Sequence, residues 1–378
     1  MTGRERLLAT LNGKPVDRPA VSFYEIGGLD FHASDDNFNV HNDPSWVPLL
    51  ELAEEKTDLI RMRAPRRVKA LGNSREEFFK VNRDEADGSR FTRTTVKIAG
   101  RTLSSVNRQD RDVDTTWHLE HLLKNSSDLL AYLELPDDTF VYEPDVTALI
   151  QAEEEVADKG IVMVDSADPI CQAAELFSMK DYLVLAFSER QLFHRLLDKL
   201  ARPLHEFTEK VAKAFPGHLW RICGAEYAGE PYLPPELFKE YVIRYTEPMV
   251  KGIQKYGGFA RLHMHGRIRS ALPMLAQMGI DGLYPIEPAP QGDVDLSYVR
   301  QEYGRDIALF GNIESSDLEN MAPSQFEAVV AKSLADGTMG SGRGFVLMPS
   351  SCPYGRDITP LTLANYRTMV RMATSFGA

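Results

Sequence analysis

From about residue 160 onward, short apolar runs rich in β-branched residues alternate with long amphipathic stretches, the pattern of repeated βα units around a parallel sheet. The predicted strands are Gly160 to Val164, Leu219 to Cys223, Phe259 to His263, Gly282 to Pro285, Ile307 to Phe310 and Phe345 to Met348. Helices fall between them. Arg190 to Phe215 carries Leu192, Leu196, Leu197 and Leu200 on one stripe, and Pro235 to Tyr256 begins with a proline suited to a first helical turn and ends at Gly257-Gly258. Ahead of residue 150 the pattern changes to a helical opening (Glu5 to Asn12), a strand-like Ala20 to Glu25, and an alternating run from Phe91 to Val106 turned by Ala99-Gly100. The expected fold is α/β: a (β/α)8 TIM barrel with an N-terminal accessory layer that includes a β-hairpin. One domain over 1–378 is expected, with accessory elements and first barrel strands in 1–150 and the main βα repeats in 151–378.

The polar residues that close those runs give the pattern its chemistry. Asp165 follows the first, Glu226 and Tyr227 the second, His263 and His265 the third, Glu287 the fourth, Asn312 the fifth and Cys352 the sixth. In a barrel of parallel strands all carboxyl ends open on one face, where ligands and catalytic groups collect. His263 and His265 are two apart on a strand ending at Gly266, so they share a side.

With 378 residues and 43% apolar content the chain can bury a large core, and the pattern reads as globular protein. A formal net charge of -12 speaks against nucleic acid or an anionic membrane surface as main partner, leaving a small-molecule substrate or another protein. The opening Met1 to Arg6 leads into an amphipathic segment rather than an apolar signal core, and no run approaches a membrane span, so a cytoplasmic address is expected. Cys171, Cys223 and Cys352 are too few for a disulfide framework, and reduced thiols follow.

Glu226, His263, His265 and Cys352 form a chemically sensible metal set. Zinc accepts imidazole, thiolate and carboxylate in a tetrahedral shell and keeps one position for substrate when catalytic; another transition metal would accept the same donors. Each residue also has a plainer role open to it. The histidines would serve as hydrogen-bonded core or substrate-binding groups, Cys352 as a small buried hydrophobe and Glu226 as half of an ion pair. Cys171 and Cys223 are assigned to the core, and His32, His41, His118, His121, His194, His205 and His218 to surface or packing roles. The glycines of Met339 to Gly344 precede a strand instead of opening a helix, and read as a loop rather than a phosphate cradle.

Gly224-Ala225-Glu226-Tyr227 to Phe238, His263-Met264-His265-Gly266, Met278 to Pro288, Gly292-Asp293-Val294, Gly311-Asn312-Ile313 and Asn365-Tyr366 together resemble the uroporphyrinogen decarboxylase superfamily. The opening Arg4 to Leu8, followed by Asn12 to Arg18, is similar to that family's start. The resemblance implies one of two branches. Its decarboxylases use no metal and hold a porphyrinogen with an arginine-bearing N-terminal motif, whereas the corresponding stretch here, Ser22 to Asp30, has no arginine. Its cobamide-dependent methyltransferases bind zinc through a His-x-Cys-Gly motif and a later cysteine. His263 matches their histidine, His265 stands where their first cysteine would be, and Cys352 lies near the second. An imidazole in place of a thiolate makes the zinc a better Lewis acid and leaves a bound thiolate less nucleophilic.

By that resemblance the expected activity is zinc-dependent methyl transfer between a corrinoid protein, which carries methylcobamide, and a small-molecule donor or acceptor. Glu226 would be either the fourth ligand or the proton-removing base, with Asp165, Tyr227, Glu287 and Asn312 shaping the substrate cavity. The alternatives are a lyase or decarboxylase of a small carboxylate on the same barrel, and a barrel that binds without catalysis.

Overall fold

A computed structural model describes residues 1–24, 26 and 38–377. Eight parallel strands form one sheet: β1 (Ala20–Val21), β2 (Leu59–Arg63), β3 (Gly160–Ala167), β4 (Leu219–Cys223), β5 (Phe259–Met264), β6 (Gly282–Pro285), β7 (Ala308–Ile313) and β8 (Phe345–Pro349). From β2 to β8 each strand pairs with the next in sequence, and β1 pairs with β8, Ala20 facing Val346. The seam between β1 and β2 is joined by Asp58, whose N–H donates to the Val21 carbonyl (2.8 Å) and whose Oδ2 accepts from the Val21 N–H (2.9 Å). Arg6 and Arg18 both donate to this buried carboxylate, and Asp17 in turn holds Arg6. The family-like opening of the chain thus acts as a clamp that shuts the barrel.

Alternation along each strand sorts side chains into two hydrophobic groups. Ile161, Met163, Leu219, Tyr284, Phe310, Val346 and Met348 point into the barrel with Leu7, Leu11 and Tyr24. Val162, Val164, Trp220, Ile222, Leu262, Leu283, Leu309 and Leu347 point outward to the helices. The helix Arg190–Ala214 meets that outer layer with Phe193, Leu196, Leu197, Leu200 and Leu204; of the expected stripe Leu196, Leu197 and Leu200 are buried, while Leu192 is only partly so. The predicted helix Pro235 to Tyr256 is interrupted, running α over Pro235–Phe238, π over Lys239–Ile243 and α again over Arg244–Lys255.

Four of the six predicted barrel strands differ from the observed ones by small extensions or shifts at their ends, and Leu219 to Cys223 and Gly282 to Pro285 agree as written. The predicted strand Ala20 to Glu25 keeps only Ala20–Val21, and its last residue lies outside the described residues, as do Gly27 to Asp30 and His32. The hairpin over 91–106 is the centre of a larger antiparallel sheet: Phe79–Ala86, Ser89–Ile98, Arg101–Asp110 and Thr116–Glu120, in sequence order. Asp87-Gly88 and Ala99-Gly100 turn its first two corners with all four residues at positive φ, which suits tight hairpins. Val96, Leu103 and Val106 bury one face of it. Its last corner leans on the loop after β8, where Asp114 N–H donates to the Tyr354 carbonyl (2.8 Å). Among the described residues, no helix is long and apolar enough to cross a membrane.

Candidate functional site

Interior positions near the carboxyl ends of β3, β4 and β5 are occupied by charged and sulfur-bearing residues instead of the apolar ones found deeper in the barrel. Strand register sets them side by side: Arg221 of β4 pairs with Asp165 of β3 and with Arg261 of β5, Cys223 with His263, and His263 with Tyr284 of β6. Arg221 Nη1 donates to Asp165 Oδ1 (2.6 Å) and to Cys223 Sγ (3.3 Å). Burial works against the Arg221 charge, but Cys223, Tyr24 and Asp165 outweigh it and hold the guanidinium protonated. Arg261 is fully buried, with its guanidinium carbon 4.8 Å from the ring centre of Tyr284 and 5.1 Å from that of Phe310. Burial draws its pKa down to about 10, so it remains a cation at neutral pH.

His263 lies between Tyr24 and Tyr284, with Nδ1 3.3 Å from the Tyr24 hydroxyl. Burial, reinforced by the positive charge of Arg221, pushes its pKa well below the usual imidazole range, so it is neutral. His265 sets its ring 4.6 Å from that of His263, edge to face. Its Nδ1 meets Glu287 Oε1 at 2.8 Å, and Glu287 Oε2 accepts from the Gly266 N–H (2.6 Å). Burial opposes the His265 proton, yet the hydrogen bond and charge of Glu287 prevail and raise its pKa. For Glu287 burial pulls upward and His265 more than offsets it, so that carboxylate is lowered. Glu226, on the short 3-10 turn Ala225–Ala228, is raised by burial, while the His265 charge and the Gly224 N–H (3.1 Å) pull the other way.

The structure therefore gathers Asp165, Glu226, His263, His265 and Glu287 at one rim and refines several roles. Glu287 places one oxygen on the His265 ring and the other on the Gly266 backbone N–H. Asn312 does not present a free amide oxygen to the cavity, because its Oδ1 accepts from Ser333 Oγ (2.7 Å) on the helix Pro323–Thr338. Tyr227 is half-buried beside Cys171, Glu175 and Glu226, and burial is the main cause of its raised phenol pKa. Cys352 is buried in the outer hydrophobic group, near Tyr366 of the C-terminal helix. Among the described residues, no three His, Cys, Asp or Glu side chains stand where they could hold one metal ion.

Sequence reasoning passed over Arg221, Arg261 and Cys223. The signal was present, since a lone arginine inside Leu219-Trp220-Arg221-Ile222-Cys223 or Phe259-Ala260-Arg261-Leu262 must face the barrel if its neighbours face the helices. Cys171 and Cys223, assigned to the core, lie together: the Cys171 thiol is raised first by its hydrogen bond with Cys223 and then by burial. Asp168 caps the helix Pro169–Ala174 behind them, accepting the Cys171 N–H at 2.8 Å.

Comparisons with known proteins bear on the fold and the family. A methyltransferase from Methanosarcina mazei shares the fold, with a TM-score of 0.64 over 100% of both chains at 18% identity. The IOLI protein with a bound zinc atom (TM-score 0.36, 10% identity, 68% of this chain and 88% of that one) is more distant. So is D-psicose 3-epimerase in the presence of D-fructose (0.35, 9%, 68% and 89%). No curated protein matches the sequence. The model of the uroporphyrinogen decarboxylase (URO-D) family matches residues 121–375, which takes in β3 to β8 and every rim residue named above, and the chain belongs to that family.

Proposed function

We propose that this chain is a methyltransferase that works at the barrel mouth, moving a methyl group between a small molecule and a corrinoid carried by a partner protein. The observation that carries the reading is the pair His263 and His265 on one strand end, with both Nδ1 atoms already engaged. Imidazoles held this way by a phenol and a carboxylate present Nε2 to a ligand, which is the outer support that metal-binding histidines require. Family membership and the shared fold of the Methanosarcina mazei methyltransferase support the same direction.

Zinc belongs to this proposal, with His263 and His265 as the rim donors that would hold it; Cys352 lies in the outer hydrophobic group, and among the described residues no third His, Cys, Asp or Glu joins the two imidazoles. The zinc would supply a Lewis acid to the acceptor's heteroatom. The chain's own groups do the rest. Glu226, whose raised pKa makes it a stronger base than a surface glutamate, takes the proton from an acceptor thiol or hydroxyl. Glu287 holds the His265 ring in place, and burial, reinforced by Arg221 on its Asp165 partner, keeps His263 neutral.

Arg221 and Arg261 favour a second reading, a lyase or decarboxylase of a small carboxylate. The N-terminal stretch lacks an arginine, but two stand inside the barrel on β4 and β5 and provide the positive charge a carboxylate needs. Methylcobamide consumption by the purified protein, followed by its absorbance, separates the two. Carbon dioxide release without cobamide would replace the first reading with the second. His263→Ala is expected to lose at least about a hundredfold in rate together with bound zinc measured by elemental analysis; full metal content in that variant would sink the zinc assignment.

A further inference from the structure

A second cavity, of about 570 Å3, lies away from the barrel mouth, between the antiparallel sheet and the helices Pro169–Ala174 and Arg190–Ala214. Two cations enter its lining, Arg67, which is exposed, and Arg75, which is half-buried. The protein is acidic, and Arg6, Arg61, Arg66, Arg101, Arg190 and Arg371 each meet a carboxylate. Among the described residues, neither the Arg67 nor the Arg75 guanidinium has a hydrogen-bond or ion-pair partner. Instead they lie on rings: Arg67 is 5.0 Å from the centre of Phe207 and 5.9 Å from that of Tyr142, and Arg75 is 3.8 Å from that of Phe79. Each also feels the other's charge, which lowers the Arg67 pKa in addition to burial.

A guanidinium that lies against aromatic rings without an ion-pair partner leaves its N–H fork open to a carboxylate or phosphate. Two such forks, uncompensated and mutually repelling, make a place where an anion is stabilised. Two glutamates also line the cavity: Glu120 is engaged by Lys124 (2.9 Å) and Ser104 (2.8 Å), and Glu175 Oε1 lies 3.6 Å from the Cys171 thiol. The rest of the lining suits a flat, partly apolar body, with Tyr132, Phe140 and Phe207 among its walls. His118 and His121, stacked at 5.2 Å, supply polar edges farther along, where His121 Nδ1 lies 3.3 Å from the Glu175 carbonyl. The volume falls within the range of small-molecule sites.

We propose that this cavity is a binding site for an aromatic anion, a planar ring system carrying a carboxylate or phosphate, and that Arg67 and Arg75 hold its charged group. The site is separate from the barrel mouth and does not depend on the methyl-transfer reading.

Isothermal titration with 1-naphthoate tests it, using 1-naphthalenemethanol as a ring without charge and inorganic phosphate as a charge without a ring. Saturable one-to-one binding of 1-naphthoate is expected, at least about tenfold tighter than either control. The double variant R67Q/R75Q should weaken 1-naphthoate by about tenfold or more while keeping its thermal unfolding transition, since both side chains contact only rings. H263A, altered at the mouth, should bind as the unaltered protein does. Absence of saturable binding, an unchanged affinity in R67Q/R75Q, or loss of binding in H263A would each overturn the proposal.

Discussion

The barrel mouth and the side cavity both combine arginines with aromatic rings, yet they treat charge in opposite ways. At the mouth Arg221 meets Asp165 and the His265 ring meets Glu287, while Arg261 beneath them lies on the rings of Tyr284 and Phe310. In the side cavity Arg67 and Arg75 meet only rings. The mouth is built on strand ends, with side chains locked by register, and its compensated charges serve to shift the pKa values of neighbours such as His263 and Glu226. The side cavity is built from a hairpin sheet and helix flanks, and its charges are left for a ligand. Compensation tunes chemistry; its absence invites binding.

That contrast can be broken or sharpened by substitution. The largest effect is expected for Asp165→Asn, which leaves Arg221 largely buried without its carboxylate; a loss of about 2 kcal/mol in stability should appear in chemical unfolding. A stable D165N protein would mean that the mouth's charges are not mutually dependent. Next comes Glu287→Gln. His265 should titrate by NMR above the ordinary imidazole value in the unaltered protein and lower in E287Q; an unmoved titration would detach the pair. The smallest effect belongs to the cavity, where R67Q alone should change stability by no more than about 0.5 kcal/mol, because no ion pair is lost.

The two histidines also impose opposite pH dependences. The folded-state pKa of His265 is raised, so the stability it lends is complete below the ordinary imidazole value and is lost as pH rises through the raised one. The folded-state pKa of His263 is lowered, so its neutral form costs stability only as pH falls below the ordinary imidazole value. Unfolding midpoints measured from pH 5 to 9 in H263A and E287Q should therefore separate: H263A relieves the acid-side loss, and E287Q removes the contribution present at lower pH.

Much of the barrel was legible because β3 to β8 are apolar runs whose neighbours on both faces are buried, and such runs stand out between amphipathic helices. The strand Leu59–Arg63 was not, since Leu59-Ile60-Arg61-Met62-Arg63 reads as half charged and its arginines reach the rim and surface. The outer strands Phe79–Ala86 and Thr116–Glu120 were hidden for a similar reason: most of their residues are exposed, so they lack a clear apolar alternation. The histidines were visible from their spacing alone. Their partners were not, because Glu287 reaches His265 from the end of the neighbouring strand and Tyr24 reaches His263 from the other end of the sequence.

Because β1 is only two residues long and finds its strand partner in β8, the ring cannot shut before β8 has been made. A nascent polypeptide would carry an open, seven-strand trough with the Asp58 clamp waiting beside it until Phe345–Pro349 emerges. Assembly is thereby tied to the arrival of the last strand, and the rim residues acquire their shared geometry only at that closing step.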